Sequence, residues 1–362
     1  MKASSFIIAA TVAASGIGLF ALSGCGQAKA ENTRLKIVAT TFPVYDWTRE
    51  VLGERLAETD LVLLQQSGVD LHSYSPSAAD LRQIAACDMF VFVGGESDEW
   101  TERALAQPGN TNRRVLNLVK ALGSAVQEEK IVEGMEHEHH HHDADHDDDG
   151  HGKDKDHAKK HDHDHDDHDK DKDHDHDHDH DEDEHEIDEH VWLSLRHAAT
   201  LVKAVAADLA GLDPAHAAPY RANADAYCKR LGDLDRAYAE TVAKGKRKTI
   251  LVADRFPFRY LADDYGLTYF AAFSGCSAES EASFKTVAFL AKKMDELQLP
   301  AILTMEGANH KIAETVKRTT KAKDQRILTL DSLQSTGGEA AKTTRYLDVM
   351  TRNLDVLKSA LR

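Results

Sequence analysis

Two histidines stand alone in polar loops, each beside residues able to orient an imidazole. His72 lies in Gly68-Val-Asp-Leu-His-Ser-Tyr-Ser-Pro76, and His190 in Asp188-Glu-His-Val-Trp-Leu193. Farther along, Ala301-Ile-Leu-Thr-Met-Glu306 and Ile327-Leu-Thr-Leu-Asp331 are apolar runs that end on a carboxylate. Imidazole nitrogens and carboxylate oxygens are the donors of a divalent transition-metal site. Singly these residues say little, since a lone loop histidine is usually exposed and a strand-end carboxylate is usually a cap. Gathered around one cleft they form an N/O ligand set. No His-Glu-x-x-His, phosphate-binding loop or Gly-x-Ser-x-Gly pattern accompanies them, so the common enzyme motifs fail.

Seventeen of the 22 histidines fall between His137 and His185, interleaved with Asp, Glu and Lys. Apolar residues are nearly absent from 136–189. That stretch cannot bury enough surface to offset its ordering entropy, which predicts a disordered, metal-gathering insertion. Imidazole suits zinc, whereas manganese prefers carboxylate and water. The expected ion is therefore Zn2+, with Mn2+ as the alternative.

The elements that must position the candidate ligands alternate between strand and helix. Before the insertion, 34–41, 61–64 and 89–93 read as strands, while 44–52 and 77–86 read as helices. After it, 191–209 reads as a helix. The strands 249–253, 301–304 and 326–330 then alternate with helices over 256–265, 283–297, 308–320 and 346–361. Alternation of this kind implies parallel sheets with right-handed crossovers. The expected fold class is α/β: two α/β lobes with parallel sheets, joined by one long helix. Pro214 opens that helix in the first turn, where its missing N–H costs nothing. The expected boundaries are 34–212 for the first lobe, 213–244 for the linker helix and 245–362 for the second lobe. Metal would bind in the interlobe cleft, where ligand groups gather at the carboxyl ends of strands.

At the amino end, Lys2 precedes an apolar stretch over 6–22 that runs into Leu22-Ser-Gly-Cys25. This is the pattern of an export signal. Leu-Ser-Gly-Cys resembles a bacterial lipobox, which implies a signal peptide over 1–24, acylation of Cys25 and a tether over 25–33. Cys87, Cys228 and Cys276 remain; an odd number rules out a disulfide framework and allows at most one bridge. The net charge of −18 argues against nucleic acid as a partner.

Five motifs occur in one order: Thr40-Thr-Phe-Pro-Val-Tyr45, the His72 loop, Glu189-His-Val-Trp-Leu193, Tyr260-Leu-Ala-Asp-Asp-Tyr-Gly-Leu267 and Leu328-Thr-Leu-Asp331. Together they resemble the zinc- and manganese-binding solute-binding proteins of bacterial ABC transporters, over nearly the whole mature chain. A His-rich insertion just ahead of His-Val-Trp is similar to the zinc branch. The resemblance implies two lobes bridged by a rigid helix and a monomeric extracytoplasmic receptor that passes its ion to a membrane permease. It implies His72, His190 and Asp331 as ligands, with Glu306 close by. One position departs from the pattern: Arg255 stands where this family places a His or Glu ligand, and a guanidinium cannot bind a cation. Asp254, Glu306 or Cys276 is left to supply the third donor, with Asp254 or Glu279 as the expected partner of Arg255. A surface metal-buffering adhesin-type lipoprotein and a metal-dependent hydrolase are the competing readings.

Overall fold

A computed structural model describes residues 34–66, 68–135, 186–277 and 281–362. The signal, tether and Cys25, together with the His-rich segment 136–185, lie outside the described residues. No helix among the described residues is long and apolar enough to cross a membrane.

Two four-stranded parallel sheets repeat one topology. The first contains β1 (Leu35–Ala39), β2 (Thr59–Leu63), β3 (Met89–Phe92) and β4 (Arg114–Asn117), in the order β2-β1-β3-β4. The second contains β5 (Thr249–Phe256), β6 (Thr268–Ser274), β7 (Ala301–Met305) and β8 (Arg326–Leu330), in the order β6-β5-β7-β8. In each, the chain reverses direction across the sheet beside its first strand. A crevice opens there at the carboxyl ends of the strands.

Strand periodicity assigns the faces. In β1 and β3, Ile37, Ala39, Met89 and Val91 point into one large core. Their neighbours Val38, Phe90 and Phe92 join a smaller cluster with Ile84 of the helix Ala78–Ala86. The second sheet does likewise: Ile250, Val252 and Leu303 face the large core, and Leu251, Ala253 and Ile302 the helices Phe284–Leu297 and Lys311–Thr319. Side chains alternate across a strand, so apolar residues on both faces yield a sheet covered on both sides. The large core runs through both lobes without a break.

The long helix Ala217–Lys244 spans 28 residues, or about 42 Å at 1.5 Å per residue. Pro214 sits in a single 3-10 turn just before it. Tyr220, Ala224, Tyr227, Leu231, Tyr238 and Val242 recur at helical spacing and form its buried stripe. Tyr238 crosses to the second lobe, its hydroxyl donating to the Met350 carbonyl at 2.6 Å. Gly232 does not interrupt the helix.

Three readings are corrected. Two strands, β4 and β6, were not anticipated. The helix expected from 256 begins only at Arg259, because β5 continues to Phe256. The segment expected to be disordered also runs too far at its end: the Glu129 N–H donates to the Glu186 carbonyl at 2.7 Å, and Ile187 bridges Glu128. Asp188 and Glu189 consequently belong to the folded body, both buried.

Candidate metal centre

Each candidate ligand is placed by a short turn at a carboxyl edge. His72 sits in a 3-10 turn after β2, begun by Asp70, whose Oδ1 accepts from the His72 N–H at 3.0 Å. His190 ends the return from the insertion and is fully buried. Asp188 Oδ1 accepts both from its N–H and from its Nδ1, each at 2.9 Å. The His190 ring stacks edge-on against Trp192 and lies over Gly275, where a Cβ would come within 3.0 Å of Cε1.

These contacts fix tautomers. His190 Nδ1–H donates to Asp188, which leaves Nε2 with a free lone pair. His72 Nδ1 contacts Ser97 Oγ at 2.7 Å, and Ser97 in turn bonds the Glu189 carboxylate. The two Nε2 atoms face each other at 3.3 Å. Two nitrogens bonded tetrahedrally to one zinc at about 2.0–2.1 Å would be separated by about 3.3–3.4 Å. The side-chain amide of Gln334 reaches both Nε2 atoms, His72 at 3.3 Å and His190 more closely. Its Oε1 is buried with no hydrogen-bond partner among the described residues.

Burial, and then the neighbouring His190, push the His72 pKa down to about 3. The ring is therefore neutral and available at neutral pH. Because the folded value lies below the ordinary one, the contribution of His72 to metal-free stability is complete above pH ~6.5. It is lost as the pH falls towards 3, at no more than about 1.4 kcal/mol per pH unit. Chemical denaturation of the metal-free protein between pH 7 and 4 should show a shallower acid loss for His72→Asn than for wild type. Burial also raises the Glu189 carboxyl to about 7, and its Oε2 has no hydrogen-bond partner among the described residues.

Among the described residues, one group of His, Cys, Asp and Glu has metal-binding geometry: His72, His190 and Cys276, whose ligand atoms lie within 4.8 Å of one another. The expected carboxylates are not brought into it. Glu306 accepts from the Ser332 hydroxyl at 2.6 Å and its amide at 2.7 Å; burial and Asp331 raise its pKa to about 7. Asp331 accepts from the Leu333 N–H, and Asp254 from the amides of Arg255 and Met305. All three brace backbone, and Glu306 and Asp331 shape the loop that presents Gln334. Arg255 pairs with Asp70 at 2.5 Å rather than with Asp254; Glu279 lies outside the described residues. Burial would raise the Asp70 carboxyl, but Arg255 outweighs it and holds the group below its ordinary range. Cys87, Cys228 and Cys276 are all free thiols. Gln334 was missed because it carries no charge; the only hint was its place in the loop after a strand of the second lobe.

Two α/β lobes joined by one long helix, with two imidazoles of the first lobe set Nε2 to Nε2, make up the candidate metal centre. The chain belongs to the family described as zinc-uptake complex component A, periplasmic, whose model matches residues 37–360. It is 29% identical over 337 residues to the zinc-binding lipoprotein AdcA of Streptococcus pneumoniae, covering 93% of this chain but only 58% of that protein. To the high-affinity zinc uptake system protein ZnuA of Bacillus subtilis it is 29% identical over 357 residues, covering 95% of this chain and 97% of that one. The Zn(II)-bound ZnuA-like domain of S. pneumoniae AdcA superposes with a TM-score of 0.63 at 26% identity, over 91% of this chain and 99% of that domain. The periplasmic zinc-binding protein TroA of Treponema pallidum shares the fold, with a TM-score of 0.65 at 20% identity over 91% of this chain and 99% of that one. The family is one of uptake components, which sets the hydrolase reading aside.

Proposed function

We propose that this protein captures zinc outside the cytoplasm and delivers it to the membrane permease of an ABC transporter, held at the membrane by a lipid on Cys25. His72 and His190 hold the ion through their Nε2 atoms. The observation that carries the reading is the 3.3 Å separation of those two atoms, each freed for metal by a partner on its Nδ1. The zinc named in the relatives and the seventeen histidines of 137–185 favour zinc over manganese. The deciding experiment is a competition titration of demetallated protein. Zinc should be retained against equimolar manganese, and displacement by manganese would overturn the assignment.

Asp188 has the role of fixing His190. Such partners of a ligating histidine are worth about 10–100-fold in metal affinity. Asp188→Asn should therefore weaken tight zinc binding by at least about tenfold, measured against a chelator of known strength. Unchanged affinity would show that His190 is not oriented through Asp188. The segment 136–185 is a separate collector of weakly held ions, so its deletion should lower the total zinc bound and leave one tight equivalent. Equal stoichiometry with and without the segment, measured by calorimetry, would rule that role out.

A further inference from the structure

The second lobe must contribute a donor if the ion is to lie between lobes, and the strand position nearest the cleft is taken by Arg255. Its guanidinium is taken up by two oxygens. One nitrogen reaches Asp70 Oδ2 at 2.5 Å and another the Ser277 carbonyl at 3.3 Å. Asp70 in turn holds the His72 N–H. Arg255 thus ties the loop of His72 to the residue next to Cys276. On its other side the Cys276 segment is fixed by its own N–H, donating to Glu129 Oε1 at 2.8 Å, and by Gly275 packed under the His190 ring. Five contacts converge on placing one thiol beside two imidazoles.

Resting on the zinc-receptor reading above, we propose that the thiolate of Cys276 is the second lobe's metal ligand, giving a His2Cys centre selective for thiophilic divalent ions. Tetrahedral zinc with Zn–S near 2.3 Å and Zn–N near 2.0–2.1 Å sets the sulfur about 3.6 Å from each nitrogen. In a group whose ligand atoms lie within 4.8 Å of one another, no separation exceeds that spacing by more than about 1.2 Å. Gln334 Oε1 offers the fourth donor once its carboxamide turns over. Binding replaces the S–H bond by a metal–sulfur bond and releases the proton to solvent. Thiolate ligation favours zinc and disfavours manganese, which prefers carboxylate and water. Arg255 is a positioning residue: it offers no donor to the metal and holds both ligand loops.

The test uses the full-length chain and cobalt(II) as a spectroscopic substitute for zinc. A cobalt–thiolate bond gives an intense near-ultraviolet charge-transfer band, and the His-rich segment 136–185 contains no cysteine to imitate it. One equivalent of cobalt should produce the band in wild type, in Cys87→Ser and in Cys228→Ser, and both Cys276→Ser and Cys276→Ala should lose it. Melting of the metal-free variants confirms that they fold. Both Cys276 variants should also lose at least tenfold of the preference for zinc over manganese. If the band is absent from wild type while His72→Ala plus His190→Ala still removes one tight zinc, the thiolate is wrong and the receptor reading stands. If that double variant keeps its tight zinc, the receptor site itself is wrong. A band that survives both Cys276 substitutions overturns the assignment of the sulfur.

Discussion

Zinc should raise the melting temperature of the protein lacking residues 136–185, and replacing either His72 or His190 with alanine should remove most of that rise. Binding to the folded state alone stabilises it by RT ln(1 + [L]/Kd), about 4 kcal/mol at a thousandfold excess over Kd. Each substitution deletes one metal bond and opens a hole where the ring was packed. A thousandfold loss of affinity would erase all but about 0.4 kcal/mol of the gain at the same zinc concentration. Asp331→Ala should act differently. Its carboxylate accepts from the Leu333 amide, so its loss loosens the Gln334 loop and reduces the zinc response only partly. Differential scanning fluorimetry with and without zinc separates these outcomes. Full shifts in both histidine variants would remove the two imidazoles from the site.

The second large effect is expected at Trp192. Its ring is fully buried, packs edge-on against His190, and donates from Nε1 to the Ser332 carbonyl of the second lobe at 2.8 Å. Its own carbonyl accepts from the Tyr346 hydroxyl at 2.6 Å. Trp192→Ala leaves a large cavity between the lobes, and such truncations cost about 3–5 kcal/mol. Trp192→Phe keeps most of the packing and loses one buried hydrogen bond, roughly 1 kcal/mol. Denaturant unfolding of the metal-free forms measures both. Near-equal losses in the two variants would mean that the hydrogen bond, rather than the packing, holds the lobes at this point.

What the sequence disclosed follows from the kind of signal each feature left. The buried strands β1, β3, β5 and β7 are short apolar runs flanked by turns, and the long helix announced itself through Pro214 and an uninterrupted length. By contrast, β4 is a four-residue edge strand carrying the exposed residues Arg114 and Val115, too short and too polar to separate from loop. In β6, the Ala-Ala core of Thr-Tyr-Phe-Ala-Ala-Phe-Ser suits helix as well as strand, and only pairing with β5 decides. The two histidines were legible through the motifs around them, Gly68-Val-Asp-Leu-His-Ser-Tyr74 and Glu189-His-Val-Trp-Leu193, rather than singly. Of the second lobe's donors, Cys276 was legible as one alternative and Gln334 was not, because charge drew the reading to Asp331, Glu306 and Asp254. Those three accept from backbone amides, while the side-chain amide of Gln334 contacts both imidazole Nε2 atoms.

The central claim, one zinc ion held between the lobes by His72 and His190, is tested most directly by anomalous diffraction at the zinc edge from crystals grown with one equivalent of zinc. A single strong peak is expected within about 2.0–2.1 Å of both Nε2 atoms, with a second-lobe donor completing the shell. A principal peak on Glu306 and Asp331, away from the two imidazoles, would contradict it.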